Sequence, residues 1–204
     1  TFKWFRQKGM STYGLTEQAF AACDAIKRAW RAAHPATVGL WGTLEQSFRD
    51  AIDNPGYVFP AGLASVVRPT FKSGKPMPWA TIIMPSGRRL CYPAPKIEKD
   101  GQISYQGVDQ YSRKWTTLRT YSGKLVENLT QAVARDVIAH NLPAVQAAGY
   151  DVLLTVHDED ITEAPDTDAY SGAALAEIMA RVPPWAAGLP LAAAGFDTYF
   201  YRKD

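Results

Sequence analysis

Residues 150–160 read YDVLLTVHDED, an apolar run that ends in one histidine and three carboxylates. The apolar residues Val152, Leu154 and Val156 alternate with their neighbours, which predicts a short strand with one buried face. The β-prone pair Ile161–Thr162 follows directly. The stretch therefore predicts a β-hairpin that carries acidic residues at or beside its turn.

The polar side chains of this turn are His157, Asp158, Glu159 and Asp160. Clustered carboxylates repel one another and raise one another's pKa unless a cation lies among their oxygens. Hard oxygen ligands suit Mg²⁺ or Mn²⁺. Acidic turns are also common as solvated loops that bind no ion. The turn alone leaves a metal site and a solvated loop as alternatives.

The composition of the 204-residue chain is that of a globular protein, with 47% hydrophobic and 21% charged residues. Such a length suffices for one sizeable core, or for two subdomains that share one. Cys23 and Cys91 are far apart and the three histidines lack zinc-ligand spacing, which predicts buried thiols in a reducing compartment. The sequence contains neither a run of about 18 apolar residues nor a signal-peptide pattern, so we expect a cytoplasmic protein without membrane association.

Charge is unevenly distributed along the sequence, although the formal net charge is only +2. Eight basic residues fall between Arg88 and Lys124, against three acidic ones. Residues 151–169 contain seven acidic residues and neither lysine nor arginine. This division suits a protein that binds phosphates with one region and a metal ion with another.

The tetrapeptide VHDE at residues 156–159 resembles the third conserved motif of family A DNA polymerases, the DNA polymerase I type. The resemblance implies a palm hairpin in which Asp158 binds the catalytic metal ions, with Glu159 beside it as a further acidic ligand. It places His157 near the primer terminus. It also implies Mg²⁺ or Mn²⁺ as the cofactor, and template-primer DNA and dNTPs as partners.

A helix is predicted from Gly123 to about Leu142, with apolar residues at helical spacing on one side. A polar stripe on another side, which by itself fits a solvated face, consists of Lys124, Asn128, Gln131 and Arg135. The stretch GKLVENLTQAVARD (residues 123–136) resembles the palm helix of the same family, whose glutamine lies in the duplex minor groove. The resemblance implies that Gln131 contacts DNA, together with the other residues of the stripe.

Amide and cationic donors suit the minor groove of any DNA duplex. Every correct base pair presents acceptor atoms there, the purine N3 and the pyrimidine O2. Glutamine and arginine can therefore hold any well-formed pair without reading its sequence. The predicted recognition is of duplex geometry.

The stretch MPSGRRLCYPAPKI (residues 84–97) resembles the family's GRR segment, a basic turn near the template-primer duplex. The resemblance implies that Arg88 and Arg89 contact DNA, whereas the residues alone fit a solvated turn equally well. Strands are predicted at Leu63–Pro69, Trp79–Met84, Ile103–Tyr105 and Trp115–Leu118. A last strand is predicted over residues 195–202, where it would pair with the hairpin.

Two helices are predicted near the N-terminus, over Glu17–Ala33 and from Pro35 to about Ile52. The patterns TYGLTEQAF (residues 12–20) and AWRAAHPATVGLW (residues 29–41) resemble the phage and prophage branch of the family, in the fingers. The nucleotide-binding role of the fingers is not transferred to Arg6 and Lys8, because their spacing does not match.

The predicted fold is α+β, with an antiparallel palm sheet that includes the VHDE hairpin and is backed by the long helix. The N-terminal helical hairpin would form the base of the fingers. Residues 1–60 are assigned to the fingers and residues 61–204 to the palm, within one incomplete polymerase right hand.

The resemblance also implies a second metal-binding aspartate in a DYSxxE-type motif, which the 204 residues do not contain. The DQYS at residues 109–112 shares only letters with it. We therefore expect an isolated chain to be inactive or nearly so, and to need an N-terminal polymerase segment as partner. Exposed apolar surface near Trp4, Phe5 and the hairpin would favour a homodimer.

Two other functions fit the residues. One is a non-catalytic DNA-binding remnant or accessory module that keeps the basic region. The other is a metal-dependent nuclease built on residues 157–160, for which the neighbouring strands offer no convincing lysine or further acid.

Overall fold

The structure is a computed structural model, and it describes residues 17–200 of the chain. These residues form helices and antiparallel strands, which confirms the predicted α+β class. The helices are α1 (Glu17–Ala33), α2 (Pro35–Asp53), α3 (Ser122–Ala147) and α4 (Gly172–Met179), followed by a 3-10 turn at Pro184–Ala186. The predictions for Trp4, Phe5, Arg6 and Lys8 lie outside the described residues.

The strands of the described chain form three antiparallel sheets. The first is a meander of β1 (Val58–Ala61), β2 (Ala64–Val67), β3 (Trp79–Ile83) and β4 (Arg89–Pro93). The second contains β5 (Lys96–Ile97), β6 (Ile103–Val108) and β7 (Trp115–Thr120). The third is the hairpin of β8 (Asp151–Val156) and β9 (Glu159–Glu163). The prediction of one sheet that includes the hairpin is therefore wrong here, because β8 and β9 pair only with each other.

Helix α2 packs its apolar side against the first sheet. Leu44, Phe48 and Ile52 are buried and repeat at helical spacing, as the sequence predicts. They belong to the same core cluster as Val66 and Ile82, which lie directly opposite each other in β2 and β3 and therefore project to one face. This cluster is the larger of two cores and holds α2 on the strands.

Helix α3 is attached to α2 at its first residue. The residue before α3, Tyr121, provides no capping side chain. Glu45 of α2 accepts a hydrogen bond from the Ser122 backbone N–H at 2.8 Å and another from the Arg49 guanidinium at 2.6 Å. Burial raises the pKa of Glu45, but these hydrogen bonds outweigh it, so the pKa is lowered. A carboxylate also interacts favourably with the dipole of a helix N-terminus.

The sequence predicts that helix α3 ends at about Leu142, before Pro143. In the structure the helix continues through Pro143. Proline removes one backbone hydrogen bond from a helix interior. Tertiary packing offsets this loss, because Val145 is fully buried in the second core. The Asn141 side chain also donates to the carbonyls of Met179 and Arg181, at 2.9 and 3.0 Å. Contacts with α4 thus hold the last turns of α3.

Strand β8 departs from the predicted alternation. Leu153 has no partner in β9, because the pairing shifts between Val152 and Leu154. Such a bulge reverses the side on which the following residues project. Of the predicted buried face, Val152 and Val156 are half-buried, but Leu154 is 54% exposed, and its neighbour Leu153 is 56% exposed. The predicted exposure of apolar surface near the hairpin is confirmed.

The segment over residues 195–200 forms no strand, so the predicted final strand is wrong where the structure describes it. The segment crosses the start of α4 instead. The Gly172 backbone N–H donates to the Asp197 carboxylate at 2.8 Å, and a Cβ at Gly172 would lie 3.1 Å from the Phe196 backbone nitrogen. Only glycine permits this close approach without a shift of the backbone.

Cys23 and Cys91 are both exposed, so the prediction of buried thiols is wrong; Cys23 lies on the largely exposed α1 and Cys91 lines a groove. Among residues 17–200, no helix has both the length and the apolar character needed to cross a bilayer. The predicted boundary at residue 60 falls inside β1 and stays a prediction.

Candidate functional site

The acidic turn lies at the end of the β8–β9 hairpin. Val156 pairs with Glu159, which leaves His157 and Asp158 as a two-residue turn. His157 has a positive φ of 56°, a conformation that histidine adopts more readily than most residues. The side chains of His157, Asp158 and Glu159 are exposed. The hairpin therefore presents all three to solvent at its tip.

Asp160 is different from the other carboxylates of the turn. It pairs with Thr155, and both of its carboxylate oxygens are buried without a hydrogen-bond partner among the described residues. Burial raises the pKa of Asp160, and the positive charge of Arg135 acts in the opposite direction. Arg135 belongs to α3, so the electrostatic influence of this helix extends to the hairpin.

An open groove of about 480 Å³ runs between α3 and strands β4 and β6. Its lining combines cations, amides and aromatic rings. The residues are Arg88, Leu90, Cys91, Tyr92, Tyr105, Asn128, Gln131, Ala132 and Arg135. Four of the six residues predicted to bind DNA thus line one surface. Gln131 and Arg135 are exposed and, within residues 17–200, their side chains form no hydrogen bond.

One wall of the groove is aromatic. The rings of Tyr92 and Tyr105 meet edge to face, with centroids 5.0 Å apart. The Asn128 amide donates to the Tyr92 hydroxyl at 3.2 Å. Burial raises the pKa of Tyr92 to about 12, although the Asn128 hydrogen bond lowers it, so this hydroxyl stays protonated at neutral pH. The wall therefore presents two aromatic rings in contact, one of which is also hydrogen-bonded to α3.

Arg88 is fixed in place by α3. Its guanidinium pairs with the buried Asp136 and also donates to the Ala132 carbonyl at 3.0 Å. Asp136 accepts a second hydrogen bond from the Ser86 hydroxyl. The basic turn before β4 is thereby joined to the helix, while half of the Arg88 side chain remains open to solvent.

The other predicted residues are separate from this groove. Lys124 pairs with Glu127 at 3.2 Å and does not line the groove. The Arg89 side chain is exposed on β4 and makes no hydrogen bond or ion pair with any other described residue. His157, Asp158 and Glu159 are outside the lining as well. The structure thus gives two areas, the groove and the acidic turn, linked electrostatically through Arg135 and Asp160.

The acidic turn supplies too few ligands for a metal site of its own. No three His, Cys, Asp or Glu side chains come together as a metal-binding group in the described part of the chain. Asp158 and Glu159 nevertheless supply exposed carboxylate oxygens, which are the ligands that Mg²⁺ prefers. Mg²⁺ is often held by one or two carboxylates, with phosphates and water completing its shell. The donor set fits such an ion only with ligands from other groups.

Several residues that shape the site were missed in the sequence. Tyr92 and Tyr105 form the aromatic wall, and Asp136 holds Arg88. Alternation within β4 and β6 indicates on which face of its strand each tyrosine lies. It does not indicate that the two tyrosines meet, because β4 and β6 belong to different sheets. Asp136 directly follows Arg135 in the sequence. Nothing in the local pattern indicates that Asp136 is buried and pairs with Arg88.

By its fold and its groove, the chain belongs to the α+β class and presents amide and cationic donors in an open groove. Arg135 of this groove interacts electrostatically with Asp160 beside the acidic turn. Comparison with known proteins adds a relative. The chain is 36% identical over 207 residues to the DNA polymerase of Bacillus phage SP02, and the match covers 97% of this chain and 30% of that protein. The similarity supports a relationship to a DNA polymerase, of which the chain spans less than a third. No protein-family model and no solved structure matches the chain.

Proposed function

We propose that the chain is part of a DNA-directed DNA polymerase of family A and serves template-directed nucleotidyl transfer. The identity of 36% to a phage DNA polymerase supports the class. The groove is the main support for the proposed DNA-contacting residues, because Asn128, Gln131 and Arg135 of one helix line it together. In this role the groove holds the minor-groove edge of the template-primer duplex.

The donors of the groove fit that task. Gln131 and Arg135 form no hydrogen bond within residues 17–200, so their N–H groups are free to donate to purine N3 and pyrimidine O2. Arg88 keeps one side open to solvent and adds positive charge for the phosphates. A mispaired base displaces the acceptor atoms and loses these hydrogen bonds, which makes the contact a check of pair geometry.

The acidic turn is the proposed metal-binding part. Asp158 and Glu159 would hold the ion, and His157 would lie near the primer terminus. A bound Mg²⁺ or Mn²⁺ would neutralise charge on the reacting phosphates and favour ionisation of the primer 3′-hydroxyl. Further ligands would come from the second aspartate of the polymerase, the substrate phosphates and water. The exposure of the turn leaves room for these ligands.

The chain would act together with further polymerase segments, because it spans 30% of its phage relative. Residues 1–60 would belong to the fingers and residues 61–204 to the palm. In the assembled polymerase, the partners are template-primer DNA and dNTPs. Alone, the chain is expected to transfer nucleotides very slowly or not at all.

A primer-extension assay in Mg²⁺ tests this proposal. The 204-residue chain would be compared alone and in fusion with the upstream part of the SP02 polymerase. We expect extension only from the fusion, and full-length product only when all four dNTPs are present. Extension by the isolated chain at about 1 s⁻¹ or faster would contradict the assignment as an incomplete part.

A second candidate is a non-catalytic DNA-binding module. It is favoured by one observation, the absence of a three-ligand metal group among residues 17–200 while the groove is fully formed. Such a module would bind duplex DNA with a steep salt dependence. Duplex binding by the fusion without any extension would support this candidate over the polymerase.

A further inference from the structure

The β6–β7 hairpin ends in a tip of unusual composition, residues 109–115, with the sequence DQYSRKW. Tyr111 is 96% exposed and Trp115 is 62% exposed. Arg113 and Lys114 lie between them, also exposed. Among the described residues, neither cation forms a side-chain hydrogen bond or an ion pair. Two rings and two free charges thus occupy five consecutive residues.

The tip is a structured loop. The Asp109 backbone N–H donates to the Lys114 carbonyl at 2.9 Å, and the Arg113 N–H donates to the Asp109 carbonyl at 2.9 Å. The Asp109 carboxylate accepts from the N–H groups of Ser112 and Tyr111, at 2.7 and 3.2 Å. These hydrogen bonds fix the backbone of the tip before any ligand binds, which lowers the entropy cost of binding.

The exposed rings are not needed to pack the hairpin. Tyr105 and Leu118 are cross-strand partners on the inward face, and Tyr105 lines the groove. A Cβ at Gly107 would lie only 2.9 Å from the Leu118 side chain, so this face is tightly packed. Trp115 pairs with Val108 on the opposite, outward face. Val108 and Trp115 are 53% and 62% exposed, so this end of the outward face keeps apolar surface open to solvent.

The charge of the tip selects an anionic ligand. Asp109 is its acidic residue, and that carboxylate accepts hydrogen bonds from backbone N–H groups and pairs with neither Arg113 nor Lys114, so the tip carries two unpaired cations and a net charge of +1. Positive side chains interleaved with exposed aromatic rings are typical of single-strand nucleic-acid surfaces, where rings stack on bases and cations bind phosphates. Paired bases are already stacked, so the rings favour an unpaired strand.

We propose that the tip of residues 109–115 binds single-stranded DNA, with Tyr111 and Trp115 stacking on bases and Arg113 and Lys114 contacting phosphates. This site is separate from the duplex groove. The choice of DNA over RNA as the ligand rests on the proposed function. The binding site itself is inferred from the exposure and charge of the tip. In a polymerase it would guide the unpaired template strand.

Binding of labelled oligo(dT) to the full chain, followed by fluorescence anisotropy, tests the proposal. We expect Tyr111→Ala and Trp115→Ala each to weaken binding about 5- to 150-fold, and Trp115→Phe to restore most of it. Tyr57→Ala is the matched control, because Tyr57 is an equally accessible aromatic residue (69% exposed) outside the tip, and it should bind like the unchanged chain. Arg113→Gln and Lys114→Gln should each reduce the salt slope by about 0.7.

Two outcomes overturn the inference. One is oligo(dT) binding that Tyr111→Ala and Trp115→Ala leave unchanged. The other is failure of the chain to bind oligo(dT) while it binds anionic lipid vesicles, which would make the tip a membrane contact. Because Tyr111 is almost fully exposed, its replacement is not expected to disturb folding.

The proposed function can be contradicted independently of single-strand binding by the tip. A fusion that lacks primer extension but binds oligo(dT) through the tip would contradict the polymerase assignment alone.

Discussion

Asp160 holds both carboxylate oxygens in a buried position without a hydrogen-bond partner among the described residues. Burying a charge without a partner costs free energy, and the raised pKa of Asp160 reflects that cost. Arg135 compensates only in part, through its charge. The residue is therefore expected to cost stability, in contrast with the exposed Asp158 in the same turn.

The substitution Asp160→Asn tests this account. It removes the charge and keeps the shape, so we expect the free energy of unfolding to stay the same or to rise by up to about 1 kcal/mol. Urea denaturation at pH 7 measures the difference, with Asp158→Asn as the exposed control that should change nothing. A loss of more than about 1 kcal/mol in Asp160→Asn would show that the carboxylate has a stabilising partner.

Arg88 and Arg89 are neighbours in sequence with different surroundings. Arg88→Ala leaves the buried Asp136 without its cation, so we expect a loss of about 1 to 2 kcal/mol in the free energy of unfolding. Arg89→Ala should cost less than about 0.5 kcal/mol, because the side chain is exposed and has no hydrogen bond within the described chain. Urea denaturation of both variants provides the measurement. Equal losses would contradict the anchoring of Arg88 on α3.

At the scale of elements, the start of α3 depends on a carboxylate from α2. Glu45→Gln keeps one acceptor but removes the charge that faces the helix N-terminus, and we expect a loss of about 1 kcal/mol at pH 7. Glu127→Gln, an exposed partner of Lys124 on α3, is the control and should cost little. An equal loss of unfolding free energy in both variants would mean that the Glu45 contact with Ser122 does not stabilise the start of α3.

The same contact predicts a pH dependence. The pKa of Glu45 is lower in the folded protein than its unfolded value of about 4.3. Its stabilising contribution is therefore fully present above that unfolded value and is lost as pH falls through the lower folded pKa. The difference in stability between the unchanged chain and Glu45→Gln should shrink in acid. A difference that grows as pH falls would contradict the assignment.

The elements differ in how far the sequence determines them. Helices α1 and α2 and the acidic two-residue turn follow from local signals, namely the repeat of apolar residues, Pro35 and the polar HDED run. The bulge at Leu153 and the last turns of α3 beyond Pro143 do not. The last turns of α3 depend on packing against residues distant in sequence, namely the partners of Val145 in the second core.

At the scale of the whole molecule, α3 connects the two proposed areas of function. Its first half contributes to the main core through Leu125 and Leu129 and lines the groove, while Val145 near its end packs in the second core. Arg135 lies between these regions and carries its charge toward Asp160. One rigid helix thus sets the position of the groove relative to the acidic turn.

The arrangement of sheets was the least predictable feature of the whole molecule. Alternation identifies strands but not their partners, so the sequence did not separate the three sheets. Three residues of the predicted polar stripe on α3, Asn128, Gln131 and Arg135, line the groove together, because residues on one helix face stay together in any fold, whereas the fourth, Lys124, lies outside the groove. The tyrosine wall that completes the groove requires β4 and β6 to meet across two sheets, which no local pattern reports.

The most direct test of the central claim is the rate of single-nucleotide incorporation by the chain fused to the upstream part of the SP02 polymerase, measured with Asp158→Ala. Asp168→Ala is the matched control, since Asp168 is another exposed acid that lies outside the hairpin. We expect Asp158→Ala to lose at least about 100-fold in rate and Asp168→Ala to retain it. Equal activity of the two variants would contradict a metal-binding role for the acidic turn.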